Sequence, residues 1–343
     1  MPAALGPTRR LLVEGAFAAL ASLPLAIPAR ARDGRFFRIA TGPVGSSTFA
    51  LGTLLAEAVS RPPGSPPCEL GGPCGVPGLV ALAQSSAGSL ANLELLGSGR
   101  VESALVLADH ARNAQLGVFE NALPALRGRL RAIAVLLPAA LHLVVRADLP
   151  IDDLAGLLGR RLGLEEAGAG TLGLARLLFE ARDLDDEGFE FAFVPRAAAV
   201  DGIAEGRLDA LLLVGPWPVP AVEELVASGH GRLLPLSGEW SERLLARHSW
   251  LVRQEIPAET YSGQPAIETL GVPLVWIVVE DLDEELAYGL TAALWRRESL
   301  ARLRTGFAGG ETLGPERALE GLSVPLHPGA ERWYREQGLF RDP

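Results

Sequence analysis

The residues best suited to chemistry lie in two short turns rich in glycine and hydroxyl side chains. The first, Thr41-Gly42-Pro43-Val44-Gly45-Ser46-Ser47-Thr48, follows a strand-like run over Phe36 to Thr41 and precedes a helical pattern over Phe49 to Val59. Glycines let the main chain approach a ligand closely, and free amides at a helix start attract negative charge. Ser46, Ser47 and Thr48 add hydroxyl donors or cap the helix. The second turn, Glu165-Glu166-Ala167-Gly168-Ala169-Gly170-Thr171, follows a strand-like Arg161 to Leu164 and opens a helical pattern over Leu172 to Ala181. Either turn alone reads equally as a plain strand-to-helix connection. Two at equivalent places favour an anion site.

Other chemistries find little support. Gly168 to Gly173 spells a formal G-x-G-x-x-G, but two glutamates precede it and no strand ending in an acid follows about twenty residues on. No dinucleotide or other cofactor is therefore expected. All 31 cationic side chains are arginine, which removes Schiff-base chemistry and a Walker lysine. The motifs G-x-S-x-G and H-E-x-x-H are absent, and the five histidines show no metal-ligand spacing. A net charge of −10 argues against non-specific nucleic-acid binding. Cys68 and Cys74 are separated by a turn-forming Gly-Pro stretch that lets them approach bridging distance, and a disulfide there suits an oxidising compartment.

The elements that must position the turns alternate in type, an α/β pattern. Strand-like runs recur at Leu143 to Arg146, Phe189 to Val194 and Val272 to Val279, and Asp283 to Arg304 reads as one long helix. Gly99-Arg100-Val101-Glu102-Ser103-Ala104-Leu105 parallels Gly206-Arg207-Leu208-Asp209-Ala210-Leu211-Leu212, each after a helical pattern and before a buried strand. A common helix-to-strand joint would explain the match. So would two similarly built lobes, and a cleft between lobes is where small ligands bind. At the N-terminus, Arg9-Arg10, an apolar Val13 to Ile27 and Ala29-Arg30-Ala31 form the layout of an export signal, in twin-arginine style, cleaved near Ala31. A retained membrane anchor is the alternative.

Several ordered stretches are similar to one family. They include TGPVGSSTFALG (41–52), SSAGSLANLELLGSGRVESALVLAD (85–109), LRAIAVLLPAALHLVVRAD (130–148), GRRLGLEEAGAGT (159–171), GRLDALLLVGPWPVPAVEEL (206–225), IPAETYSGQ (256–264) and LGVPLVWIVVEDLDEEL (270–286). Together they resemble the TAXI class of solute-binding proteins, which serve tripartite ATP-independent periplasmic (TRAP) transporters. The CELGGPCGVPG loop (68–78) resembles a cysteine-bearing insertion in one branch of that class.

That resemblance implies a two-lobed α/β type II periplasmic-binding-protein fold, with a signal over residues 1–31, lobe 1 over 32–147 and 251–343, and lobe 2 over 148–250. It implies a non-enzymatic, monomeric periplasmic receptor that closes on a small organic anion and delivers it to a TRAP permease. A receptor reporting to a sensor kinase is the alternative, and an exported hydrolase a more distant one. Carried over by motif, the ligand contacts would be Thr41, Gly45, Ser46, Ser47, Thr48 and Asn92 from lobe 1. Gly170, Thr171, Gly215, Pro216 and Trp217 would come from lobe 2, with Tyr261 and Gln264 from the TYSGQ loop. Arg146 is a further candidate for the ligand carboxylate, or else it pairs with Asp148. Trp217 either walls the pocket or packs in its loop. Thr48, Leu107, Ala139 and the Pro216-Trp217 pair depart from the family pattern, which suggests a larger or less polar ligand than is usual.

Overall fold

The computed structural model describes residues 34–119, 123–165, 170–307 and 309–340. The expected export signal and residues 166–169 of the second glycine turn lie outside them. The chain opens with β1 (Arg35–Ala40), α1 (Ser47–Val59), the short parallel pair β2 (Ser60–Arg61) and β3 (Val76–Pro77), then β4 (Leu79–Gln84). Helix α2 (Ser89–Gly97), β5 (Ser103–Leu107) and α3 (Ala108–Leu116) follow. A 17-residue strand, β6 (Leu130–Arg146), leads to β7 (Arg161–Leu164), α4 (Thr171–Glu180), β8 (Glu190–Phe193), α5 (Arg196–Ala204) and β9 (Ala210–Gly215). Next come α6 (Pro220–Ala227), β10 (Gly231–Leu234), α7 (Glu239–Arg247), β11 (Val252–Ile256) and β12 (Ile267–Val279). Helices α8 (Glu284–Leu294), α9 (Arg297–Thr305) and α10 (Pro328–Glu336) close the chain.

One sheet runs in the order β4-β1-β5-β12-β6-β9-β7-β8, with β11 also on β12 and β10 also on β6. Its two ends are parallel trios, β4-β1-β5 and β9-β7-β8, each with its first strand in the middle. The connections β1-α1-β4-α2-β5 and β7-α4-β8-α5-β9 therefore repeat one topology. Between the trios, β6 and β12 run antiparallel and change partners along their length. The first part of β6 pairs with β12, and its last residues pair with β9 and β10. Strand β12 pairs first with β11 and then with β5. Pro138 faces Pro273 where the exchange occurs. Neither carries an N–H for the ladder.

The Gly-Arg match has a structural counterpart beyond its joint. Gly99 and Gly206 both take the left-handed conformation, with φ of 69° and 71°, which stops each helix and turns the chain toward a strand. Three residues later stands an acid in each copy. Glu102 accepts from the backbone N–H of Arg38 at 2.6 Å and from its guanidinium Nη2 at 2.6 Å. Asp209 likewise accepts from the backbone N–H of Arg161 at 3.0 Å and from its Nη2 at 2.8 Å. Arg38 lies on β1 and Arg161 on β7, so the same latch ties equivalent strands in both halves. Burial pushes the Glu102 carboxyl up, but the hydrogen bonds from Arg38 outweigh it and hold it below its ordinary value. The bonds from Arg161 do the same for Asp209.

The long helix expected over Asp283 to Arg304 is two helices, parted at Trp295-Arg296. Trp295 is buried and its indole N–H donates to the Tyr334 hydroxyl at 2.8 Å, while Arg296 is extended and starts α9. Anchoring the indole against α10 wins over continuing a well-charged helix, since an unpartnered buried indole N–H is costly. The main core runs along the sheet through both halves, with Trp276 wholly enclosed in it. A second cluster packs α5, α6 and the Tyr261 loop on the other side of β9 and β6.

Cys68 and Cys74 are disulfide-bonded, with Cα atoms 4.8 Å apart. The ring is small and sits in an exposed connection, so the chain-entropy account gives about 2 kcal/mol for it. Replacing both cysteines with serine is expected to lower the unfolding free energy by that amount without weakening ligand binding, as denaturant titration and calorimetry would report.

Candidate functional site

A cavity of about 460 Å³ opens where the two halves of the sheet meet. Its floor is the exchange region itself, with Leu137 and Ala139 from β6 and Leu274 from β12. Its walls are the segments that leave the C-terminal ends of the parallel strands. From the first half come the Thr41–Thr48 turn, the Ala87-Gly88-Ser89 start of α2, and Leu105 and Leu107 of β5. From the second half come Glu165, the Val194-Pro195-Arg196 start of α5, and Val214-Gly215-Pro216. Open α/β sheets bind ligands at such strand ends because chain direction gathers helix starts there.

Three helix starts converge on this space. Ser46 caps α1, accepting from the Phe49 N–H at 3.2 Å and donating to the Pro43 carbonyl at 2.7 Å. Helices α2 and α5 begin at Gly88 and Pro195 with no side-chain cap, which leaves their first-turn amides for water or a ligand. Together these amides favour an anion without any net positive charge on the chain.

Arg196 is the only arginine among the described residues lining the cavity, and sequence reasoning passed over it. Its Nε donates to Glu165 Oε1 at 2.7 Å and its Nη2 to the Val214 carbonyl at 2.9 Å. Glu165 Oε2 also receives the Val214 N–H at 3.4 Å. The acid thus holds the guanidinium against the strand end and balances its charge. Arg196 opens a helix right after a strand and a proline, and that position was the available signal.

The expected contacts divide into two groups. Thr41, Ser46, Ser47, Thr48, Asn92, Gly215 and Pro216 line the cavity, as do the departures Leu107 and Ala139. Asn92 works inward: its amide nitrogen donates to the Thr41 carbonyl at 2.6 Å and to the Leu105 carbonyl at 2.7 Å. Its Oδ1 accepts from the Ser86 hydroxyl at 2.5 Å, so the side chain ties the first turn to β5.

The others lie elsewhere. Gly45 lines a neighbouring cavity. Arg146 pairs bidentately with Asp148 at 3.0 and 2.6 Å and reaches Asp209 at 3.6 Å, and it is not among the residues lining the cavity. Gly170, with φ of 89°, packs on His110 of α3, where an added Cβ would come within 2.0 Å of the ring, and Thr171 is buried behind it. Trp217 packs against the second core cluster and precedes a cis Pro218. Gln264 accepts from the Leu233 N–H at 3.3 Å. Tyr261 is buried, and its hydroxyl accepts from the Val219 N–H at 2.8 Å and meets His142 Nε2 at 2.9 Å. Burial pushes the Tyr261 hydroxyl up to about 12, so it stays protonated. It holds the 215–219 segment in place from behind. Among the described residues, no group of three or more His, Cys, Asp or Glu is disposed to hold a metal ion.

Two strand trios bridged by two exchanging strands, with a cavity at their shared C-terminal edge, define the two-lobed periplasmic-binding-protein fold. XAC2383 of Xanthomonas citri, solved bound to ATP, has this fold at 17% identity, covering 88% of this chain and 98% of that one, with a TM-score of 0.50. A structure described as a periplasmic transporter aligns at 12% identity over 84% of this chain and 91% of its own, TM-score 0.50. A periplasmic sulfonate-binding protein of Methylobacillus flagellatus aligns at 12% identity over 90% and 89%, TM-score 0.49. The chain belongs to the NMT1-like family, whose model matches residues 39–338.

Proposed function

We propose that this protein is an exported periplasmic receptor that captures a small organic anion by closure of its two lobes. The observation that carries this reading is the cavity where three helix starts and Arg196 converge between the halves of the sheet. The acidic chain repels anions at long range, so recognition falls to these local donors. A bound anion bridging α1 and α2 on one side and α5 on the other would stabilise the closed state by its contacts to both. We take the lobes to exchange within β6 and β12, so that each long strand bends as they move. The resemblance to the TAXI class supports delivery to a TRAP permease, with the protein acting as a monomer and not as an enzyme. In the described residues no helix is long and apolar enough to cross a membrane.

Native mass spectrometry of the purified protein tests the reading directly, since a retained anion would appear as added mass lost on unfolding. Arg196→Gln is expected to weaken the identified anion roughly 10- to 30-fold, the value of one charge-assisted contact. Arg146→Gln is expected to leave its affinity unchanged. Equal effects of the two changes, measured by calorimetry, would remove Arg196 from the site.

A further inference from the structure

A second cavity of about 620 Å³ adjoins the first and is larger than it. Ser46, Ser47, Arg196 and Pro216 line both and form their shared border. Past that border the lining changes character. Ala197 and Val200 of α5, Val219 and Ala221 at the start of α6, and Phe307 after α9 make it mainly apolar. Glu224 is the one acidic side chain among its described lining residues, and no hydroxyl lies past Ser46 and Ser47. The polar donors of this region therefore sit in the first cavity and at the junction, with an apolar compartment on the far side.

We propose that the ligand is an amphiphilic monocarboxylate, its head at the helix starts beside Arg196 and its apolar chain lying past Pro216 in the second cavity. This rests on the receptor reading above and specifies its substrate class. A compact dicarboxylate or amino acid would occupy the first cavity and leave the second to water. Burying apolar chain against Val200, Val219 and Phe307 adds affinity in proportion to the area removed from water. Glu224, an exposed acid in this lining, sets the sign: a second carboxylate in the compartment would give up part of its hydration against the apolar residues and meet a like charge.

The test compares butyrate, octanoate and octanedioate by isothermal titration calorimetry on the intact protein. Octanoate carries four more methylenes than butyrate, and with about two-thirds of their area removed from water it is expected to bind roughly 30-fold tighter. Octanedioate, of equal length, is expected to lose most of that gain, and Glu224→Gln to recover part of it. Ala197 is exposed on α5, so Ala197→Phe fills the compartment with little risk to folding. It is expected to bring the octanoate-to-butyrate ratio close to one, and Ala221→Asp to do the same by placing charge there. Butyrate binding with no gain for octanoate, or an unchanged ratio in both variants, would overturn this proposal and leave the receptor reading intact. Failure of octanoate to bind while native mass spectrometry finds another organic anion retained would overturn this proposal alone; an absence of any bound anion in both measurements would overturn both.

Discussion

Between pH 6.5 and pH 4 the protein is expected to lose on the order of 3 kcal/mol of stability through a single side chain, His142. His142 is wholly buried on β6. Its Nδ1 lies 3.0 Å from the Ala140 carbonyl, which can only accept, so the ring proton sits on Nδ1. Nε2 then accepts from the Tyr261 hydroxyl at 2.9 Å, and the hydroxyl oxygen accepts from the Val219 N–H. Every position around the neutral ring is satisfied, and none awaits a second proton. Burial, reinforced by the nearby positive charge of Arg196, lowers the imidazole from 6.5 to about 4.

The sign follows from which state binds the proton first. The unfolded chain protonates near 6.5 and the folded one near 4, so the contribution is complete above pH 6.5 and falls away as pH drops to 4. Burial also lowers His248 and His327, which adds in the same direction. The latched carboxylates Glu102 and Asp209 are held below their ordinary values and act at lower pH still. Denaturant titrations across this range would measure the slope. His142→Gln is expected to be less stable at pH 7 but to lose about 3 kcal/mol less between pH 6.5 and 4. An unchanged slope in that variant would exclude His142 as the source.

Removing the Asn92 side chain is the second large effect. Asn92→Ala takes a buried donor from the Thr41 carbonyl, another from the Leu105 carbonyl, and an acceptor from Ser86. The Ser86 hydroxyl can donate instead to the Thr41 carbonyl 2.9 Å away, so the lost Leu105 contact and the weakened Thr41 one, at about 1–3 kcal/mol per unmet buried group and less where water enters, give an expected total of about 2–3 kcal/mol. Asn92→Asp supplies the control. It keeps the shape but turns an oxygen toward the two carbonyls, replacing attraction with repulsion, and is expected to be the worse of the two at pH 7. Ligand affinity should fall alongside stability in both, because Asn92 sets the spacing between the first turn and β5. Denaturant unfolding would give the ranking, and an Asp variant as stable as the native protein would refute the assignment of its nitrogen.

The sequence made the alternation of elements and the first glycine turn legible because both depend on local pattern. Strand β7 was read with its observed bounds, and Ser46 sits at the cap its type suggested. The apolar pattern marks strand β6 only at its final residues, Leu143 to Arg146. Its burial on both faces erases alternation, and Pro138 near its middle looks like a stop. Of the two readings of Arg146, the structure shows its pairing with Asp148, and the sequence does not single out Arg196 for a different reason. Both follow or end apolar runs, but the partners that occupy Arg146 include Asp209, sixty-odd residues away and visible only once β9 lies beside β6 and β7. Treating each strand-to-helix joint alike would have led to Arg196, as it led to Ser46. The resemblance marks Tyr261 as a ligand contact; its hydroxyl braces the wall from behind through Val219, an arrangement that requires α6 and β6 to be adjacent.

The pairing of Ala140 with Gly271 has a consequence for how such receptors diversify. Everything between those residues, from the last turns of β6 through β7, β8 and β9 to the first residues of β12, is one unbroken stretch of chain. It departs from the rest of the protein and rejoins it at directly opposed points. Topologically it is a cassette with its two ends already in contact. One wall of the cavity, Arg196 and Glu165 included, therefore lies in contiguous sequence, and two crossovers at structurally adjacent points would exchange it between homologous chains while Thr41 to Ser89 on the opposite wall stay untouched.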